Sequence, residues 1–504
     1  MPETASLDKP ANGYFISAPW RSSGKTLVTI GLAAAAFQRG LDIQTFKKGP
    51  DYIDPQWLKQ ASGQPCYNLD PWLQSQQELE LTYREHASQA SLSLIEGTMG
   101  LHDGLETDGS DSNAAIATLL NTPVVLVVDC RGMHRTVAAL INGVQQFDPM
   151  VPFAGVILNR LRSARHEEKI QRAIAEYSDL ELLGTIVETP DVTIEERELG
   201  LVPAAQLMDA ARHIESAREL LEGGCDLDAL FAATVKTRTQ SVGKPAIPPV
   251  VITGDMSDHR SNAAGTSSCT ATDSSNDIKS RIEELFTVGI ARDQAFNFYY
   301  EDDLELLASK GVNLVEISPL TDDFPDGLDG LLLGGGFPER HAAALVENGE
   351  FRQKLKLAIQ DGLPVRAECA GLMYLCRSLN LAGQSYPMVA AIAGEVTMHK
   401  RPSGRGYVQL KYLSTGRNDA YSVPFERILA AHEFHHSQIT FDSPPDFAYQ
   451  VLRGYGVDGQ NDGIRIRNVM ASYAHFRHSQ ASPWVDWFYK QICQQNNSRR
   501  QQYV

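Results

Sequence analysis

The chain has 504 residues with 43% apolar content, which predicts two or three folded domains with ordinary hydrophobic interiors. A formal net charge of −17 argues against a nucleic-acid or anionic-membrane surface. Seven cysteines without C-x-x-C pairs fit a reducing compartment, and with no leader-like N-terminus and no apolar run of membrane length the expected location is cytoplasmic.

The first pattern is GYFISAPWRSSGKTLVTIG, beginning at residue 13: an apolar strand, a small polar loop, and a helix start. A phosphate loop of the form G-x-x-x-x-G-K-[ST] closes backbone N–H groups around phosphate oxygens and offers a hydroxyl to Mg²⁺. Pro19 stands in the place of the first glycine, so only the half nearest the helix survives, with Ser22, Ser23, Gly24, Lys25 and Thr26. An anion at that helix N-terminus competes with a chance turn and a solvated lysine.

Further short β-branched runs follow in LDIQTFK, SLSLIEG, TPVVLVVD, FAGVILNR and LLGTIV, separated by stretches of helical character. That alternation predicts an α/β domain with a mostly parallel sheet covered on both faces. Glycine-proline and aspartate-proline breaks in FKKGPDYIDP put Asp51 and Asp54 on a loop at a strand end, where such sheets place ligand groups. Glu96 ends SLSLIEG, the position of a carboxylate that reaches Mg²⁺, and Asp103 follows in the same loop. The bland alternative for each acid is an N-cap or solvated turn, most seriously for Asp103.

From about residue 238 the composition turns to Pro, Ser, Thr, Asn and Asp, the signature of a linker. FTVGIARD, at residue 286, restarts the α/β pattern, followed by helical YYEDDLELLASKG and strand-like VNLVEIS, GLDGLLLGGG and LPVRAEC. The expected organisation is therefore residues 12–237, a linker 238–285, and residues 286–493, with a frayed polar tail. In LPVRAECAGLMYLC a strand runs into Cys369, then a small-residue turn at Ala370 and an apolar helix. Such a turn exposes a nucleophile whose thiolate the helix N-terminus stabilises, against the common alternative of a buried structural cysteine. Cys376 reads as core.

RAECAGLMYL, with LLLGGGFPERHAA and ASYAHF, resembles the glutamine amidotransferase domain of the cobyrinic acid a,c-diamide synthase and cobyric acid synthase group. FKKGPDYIDP, NLDPWL and LIEGTMGLHDG match the a,c-diamide synthase group in the first half, and the altered phosphate loop looks like that of dethiobiotin-synthetase-like ATPases. The resemblance implies a P-loop parallel-sheet domain followed by a class I glutamine amidotransferase-like α/β domain. It implies Cys369 as nucleophile, His475 as its activating base, and oxyanion amides from the Gly334, Gly335, Gly336 turn and Ala370. It implies that Ser23, Gly24, Lys25 and Thr26 hold ATP phosphates, that Thr26, Glu96 and Asp51 serve Mg²⁺, and that Asp51, Asp54 and Asp103 serve acyl-phosphate formation or substrate placement. The implied reaction converts carboxylates of a tetrapyrrole to amides with L-glutamine as nitrogen source. Cobyrinic or hydrogenobyrinic acid leads as substrate, sirohaem amidation follows closely, nickel-sirohydrochlorin comes third, and a scaffold with an inert amidotransferase domain is the alternative of another class. No nucleic acid or membrane is expected as partner, and homo-oligomerisation is left open.

Two departures from the group stand out. Many class I amidotransferases place a glutamate two residues after the histidine, where this chain has Arg477, which leaves the third orienting group unnamed; Ala370 replaces the usual glycine. His432, His435 and His436 in AHEFHHSQ have spacing that suits zinc, but the string resembles an amidotransferase segment and a place on the domain interface or substrate path is preferred. Glu196 and Arg197 are read either as substrate contacts or as an exposed helical charge run, and Trp20, Trp57 and Trp72 as loop anchors near the proposed site in preference to rings packed beside a tetrapyrrole.

Overall fold

The computed structural model describes residues 13–189, 196–197, 200–203, 209–233, 286–413 and 427–502. The first dozen residues, the predicted linker 238–285 and part of IEERELGLVP lie outside the described residues.

The first domain is built on a seven-stranded sheet, every ladder of which is parallel. Its strands are β1 (Gly13–Ser17), β2 (Ile43–Lys48), β3 (Cys66–Leu69), β4 (Leu92–Glu96), β5 (Val124–Asp129), β6 (Phe153–Leu161) and β7 (Leu182–Val187), in the order β3-β2-β4-β1-β5-β6-β7. The runs are apolar because both faces are covered: β1, β2, β4 and β5 are buried along their whole length. The chain builds outward from β1 in one direction and then in the other, so the crevice beyond the C-terminal ends of β1, β4 and β5 is the topological switch point where ligands bind in such sheets. Helix α1 (Lys25–Gln38) starts there, and α2 (Asp54–Ser62) follows β2.

The second domain has a nine-stranded mixed sheet. Five neighbouring strands, Val312–Ile317, Phe286–Ala291, Gly330–Leu333, Val365–Glu368 and Val469–Ser472, run parallel. Four more, Asn461–Ile466, Asp446–Arg453, Gly404–Tyr412 and Ile428–His435, continue the sheet antiparallel. The predicted fraying after residue 493 is corrected: one helix runs from Trp484 to Gln502. Its segment QQNNSRRQQ holds good helix formers, and Gln495 accepts a hydrogen bond from Asn468, in the turn before the strand Val469–Ser472, 3.0 Å. Glu196 and Arg197 also depart from the helical reading, forming a two-residue strand paired with Gly200–Leu201.

The two domains share one interior. The apolar cluster around α1 and α2 continues without a break into Phe298 and Tyr300 of the second domain. Arg477 occupies the join: its guanidinium donates to the Asn68 carbonyl at 2.7 Å, pairs with Asp302, and lies over the Tyr300 ring. Lys59–Glu301 at 2.7 Å and Tyr407–Asp70 at 3.0 Å tie the faces together at other points. The Tyr407–Asp70 contact brings the antiparallel extension of the second sheet directly over the ligand edge of the first.

Candidate active site

The phosphate loop is shaped by left-handed backbone at Ser22 (φ 58°) and Gly24 (φ 98°). Only glycine fits at 24, because a Cβ there would lie 2.1 Å from the Asn159 amide nitrogen. That same amide donates to the Ser23 carbonyl at 2.9 Å, and Arg160 donates to the Ser22 carbonyl at 2.7 Å while paired with Asp129 at 2.7 Å. The loop is thus braced from β6, which makes the missing first glycine tolerable. No side chain caps α1 and its first turn holds no acid, so its leading amides remain available to an anion. Lys25 donates to the Met99 carbonyl at 2.6 Å, which holds its ammonium over the loop. Burial, and then the neighbouring Lys47, pull the Lys25 pKa down to about 8.

Sheet register brings the acids to this loop. Glu96 pairs with Ile16 on one side and Lys47 on the other, so strand ends collect around β4. The Thr26 hydroxyl donates to Glu96 Oε1 at 2.5 Å. Lys47, which the sequence did not single out, sits 2.9 Å from the same carboxylate, 2.5 Å from Asp54 and 3.9 Å from Asp51. Burial opposes its charge, but these three carboxylates outweigh burial and hold it as an ammonium. Burial pushes Glu96 up to about 7, with Lys47 the main opposing influence.

Asp54 is not on the loop as expected but opens α2, and Asp51 accepts hydrogen bonds from the N–H groups of Ile53 and Asp54 at 2.8 and 3.1 Å. Both acids still face the cavity described below. Asp103 accepts from the Gly100 N–H at 3.0 Å and is absent from that cavity's wall, so its visible role is to close a turn.

In the second domain the turn at Cys369 is strained: φ 47°, ψ −97° at the residue that caps the helix Ala370–Leu375. A non-glycine residue in such a conformation marks a backbone held by its surroundings. Here the Cys369 N–H donates to the Ser472 carbonyl at 2.7 Å, and its thiol approaches the Phe434 carbonyl at 3.7 Å. Positive φ falls on Cys369 and not on Ala370, so alanine suffices in place of the usual glycine. Burial pushes the Cys369 thiol well above its ordinary value, and the Ala370 N–H at the start of the six-residue helix opposes that shift in part. Cys376 begins the strand Cys376–Leu381 in the core, as expected.

His475 exchanges backbone hydrogen bonds with His432, at 2.8 and 3.1 Å, and its loop is fixed by Asp462, which accepts from the N–H groups of Tyr473 and Ala474. Burial holds the imidazole well below its ordinary pKa, so it rests neutral and competent as a base. Gly335 abuts it: a Cβ at 335 would lie 2.4 Å from His475 Cε1. The buried Nδ1 of His475 has no hydrogen-bond partner among the described residues, and Glu368 Oε2 is a nearby carboxylate, 3.8 Å away. Glu368 immediately precedes Cys369 in sequence, a signal that reasoning from the histidine forward does not find.

Of the three histidines in the string, His432 lines the cavity described below and His435 and His436 do not. Glu433 accepts from the N–H groups of Tyr455 and Gly456, and His435 stacks on Tyr473 with ring centroids 3.8 Å apart. Among the described residues no group of His, Cys, Asp and Glu side chains is placed to hold a metal by itself. Trp57 is fully buried with its indole N–H on the Val202 carbonyl, and Trp72 packs on Tyr407.

A cavity of about 500 Å³ runs between the domains. Its wall takes Lys25, Thr26, Asp51, Asp54 and Glu96 from one side and His475 from the other; Cys369 is not part of the wall, and its thiol approaches the carbonyl of Phe434, which is.

This fold places a nucleotide-binding domain beside a glutamine amidotransferase domain in one chain, the make-up of a glutamine-dependent, amide-forming ligase. Residues 22–202 match the CobQ/CobB/MinD/ParA nucleotide binding domain, and residues 287–482 match the CobB/CobQ-like glutamine amidotransferase domain. The chain is 38% identical over 472 residues to the cobyrinate a,c-diamide synthase of Magnetococcus marinus, covering 94% of this chain and 95% of that one. It is 36% identical to the hydrogenobyrinate a,c-diamide synthase of Brucella anthropi, covering 92% and 98%, and 35% identical to the cobyrinate enzyme of Synechocystis, covering 92% and 90%. The chain belongs to the cobyrinate a,c-diamide synthase family, the group that its sequence strings resemble. Among the described residues no helix is long and apolar enough to cross a membrane.

Proposed function

We propose that this chain amidates the a and c acetate side chains of cobyrinate or hydrogenobyrinate in cobalamin biosynthesis, consuming ATP and glutamine. The observation that carries the reading is an interdomain cavity faced at once by the phosphate loop, the acid cluster and His475. A carboxylate needs a leaving group before an amine can displace it. Lys25 and the free amides of α1 position the γ-phosphate so that a substrate carboxylate oxygen attacks it, forming an acyl phosphate and releasing ADP. Asp54 and Lys47 form the charged floor on which substrate and phosphate meet.

Mg²⁺ fits the first-domain site. Glu96 Oε2 is fully buried with no hydrogen-bond partner among the described residues, beside the Thr26 hydroxyl. Thr26 and Glu96, with Asp51 nearby, would hold the ion together with phosphate oxygens, the usual mode for Mg²⁺. When bound it supplies charge neutralisation on the transferring phosphoryl group.

In the second domain His475 takes the Cys369 proton as sulfur attacks the glutamine side-chain amide. The oxyanion is met by amides of Ala370 and the Gly335, Gly336 turn, and the same proton then passes to the departing ammonia. Water hydrolyses the thioester to glutamate. Neutral ammonia crosses the shared cavity, attacks the acyl carbon and expels phosphate. Glu368 positions the imidazole.

The test is mass spectrometry of cobyrinic acid incubated with the protein, ATP, Mg²⁺ and glutamine. Two successive losses of about one mass unit, one per acid converted to amide, are expected; an unchanged mass overturns the reading. The relatives' names favour neither sirohaem nor an inert scaffold.

A further inference from the structure

Lys48 is 7% exposed, yet it has no hydrogen bond or ion pair from its ammonium among the described residues. Burial pulls its pKa below the ordinary lysine value; Asp111 and Asp70 favour its charge but lie beyond ion-pair reach. Its neighbour Lys47 is committed to Asp54 and Glu96. Adjacent residues of a strand project to opposite faces, so Lys48 approaches the cavity from the side away from that cluster. An ammonium buried without a counter-charge is costly, and the cost is recovered only when an anion arrives.

Across the cavity stands Arg405, on the strand Gly404–Tyr412 of the second domain. Its guanidinium rests near the Phe434 ring, 5.9 Å from the centroid, and has no carboxylate partner among the described residues. The segments carrying the two cations are adjacent: a Cβ on Gly49, next to Lys48, would lie 3.8 Å from the Tyr407 hydroxyl, two residues beyond Arg405. One unpaired cation from each domain therefore faces the same space as the phosphate loop.

We propose that Lys48 and Arg405 form a subsite for a non-reacting carboxylate of the substrate, which fixes the macrocycle so that one particular acetate meets the phosphoryl group. The inference rests on the amidation of a polycarboxylate macrocycle proposed above and adds the residues that choose which acid reacts. Phosphate is the competing anion, but Lys25, the cation of the phosphate loop, lies near Lys47 and Glu96, whereas Lys48 projects from the opposite face of β2.

Steady-state kinetics with cobyrinic acid, ATP, Mg²⁺ and ammonium chloride test it without the glutaminase. Lys48→Met is expected to raise KM for cobyrinic acid about tenfold, the loss that follows removal of one charge-assisted hydrogen bond. KM for ATP stays where it was, and Lys48→Arg recovers most of the affinity. Arg405→Gln, at an exposed position that does not threaten folding, shifts KM for cobyrinic acid in the same direction. A rise in KM for ATP with KM for cobyrinic acid unchanged makes this a phosphate site and overturns the proposal, as does a wild-type KM for cobyrinic acid in Arg405→Gln. Wild-type protein that leaves cobyrinic acid unamidated overturns the parent reading instead.

Discussion

The ring of Tyr52, from the loop between β2 and α2, lies 5.4 Å from the ring of His475, so a side chain of the nucleotide-binding domain meets the proposed base of the amidotransferase domain. Tyr52 also stacks on Phe298, with centroids 5.1 Å apart and planes 6° from parallel. It thereby lines the same cavity as the acid cluster and His475. Tyr52→Ala is expected to destabilise the chain by about 3 kcal/mol, as removal of a buried aromatic ring does. It is also expected to let ammonia escape, so that glutamate formed exceeds amide formed. Glutamate and amide are quantified in one reaction; a ratio that stays at the wild-type value shows that the ring only packs the interface.

Cys369→Ala is expected to lower glutamine-dependent amidation by about 10⁴-fold or more, the effect of removing a covalent nucleophile, while ammonium-dependent amidation survives. The strained backbone offers an independent check. Alanine retains the Cβ that disfavours φ 47°, whereas glycine does not, so Cys369→Gly should be about 1 kcal/mol more stable than Cys369→Ala in urea unfolding. Loss of ammonium-dependent turnover in folded Cys369→Ala would defeat the two-site mechanism.

Glu96→Gln keeps the shape of the side chain and removes the charge that faces Thr26 and Lys47. Amidation from both nitrogen sources is expected to fall by about a hundredfold or more, since the phosphoryl-transfer step serves both. The concentration of Mg²⁺ needed for half-maximal rate should rise as well. Unchanged ammonium-dependent turnover would remove Glu96 from the mechanism.

The strands of the first domain were legible because each is a short β-branched run buried on both faces, and their C-terminal ends delivered Lys25, Asp51, Asp54 and Glu96 to one place. Lys47 was not legible as part of that cluster, because its partnership with Glu96 arises from the β2–β4 register and not from spacing along the chain. Arg477 looked like a defect in a catalytic triad. Its partners, Asn68 and Asp302, are far away in sequence, and only the docked domains reveal a buried clamp. Glu368 was missed for a related reason: the expected orienting acid follows the histidine, whereas here the available carboxylate comes from the neighbouring parallel strand. The polar composition of the C-terminal segment concealed a helix held by contacts with the sheet.

Acid sensitivity follows from the histidines at the domain join. Burial, partly offset by Glu433, pulls His432 down to about 4 from its ordinary 6.5, and burial lowers His475 in the same direction. Between those two pH values the unfolded chain binds a proton at residue 432 that the folded chain refuses. Stability is therefore intact above the unfolded pKa and is lost as pH falls toward the folded one. His432→Gln removes that proton uptake while leaving the backbone hydrogen bonds with His475 in place. The drop in Tm between about pH 7.5 and pH 5 should accordingly be smaller in His432→Gln than in the wild type. Equal drops in the two proteins, read by differential scanning calorimetry, would mean that His432 accepts a proton in the folded state and that the join is open to water.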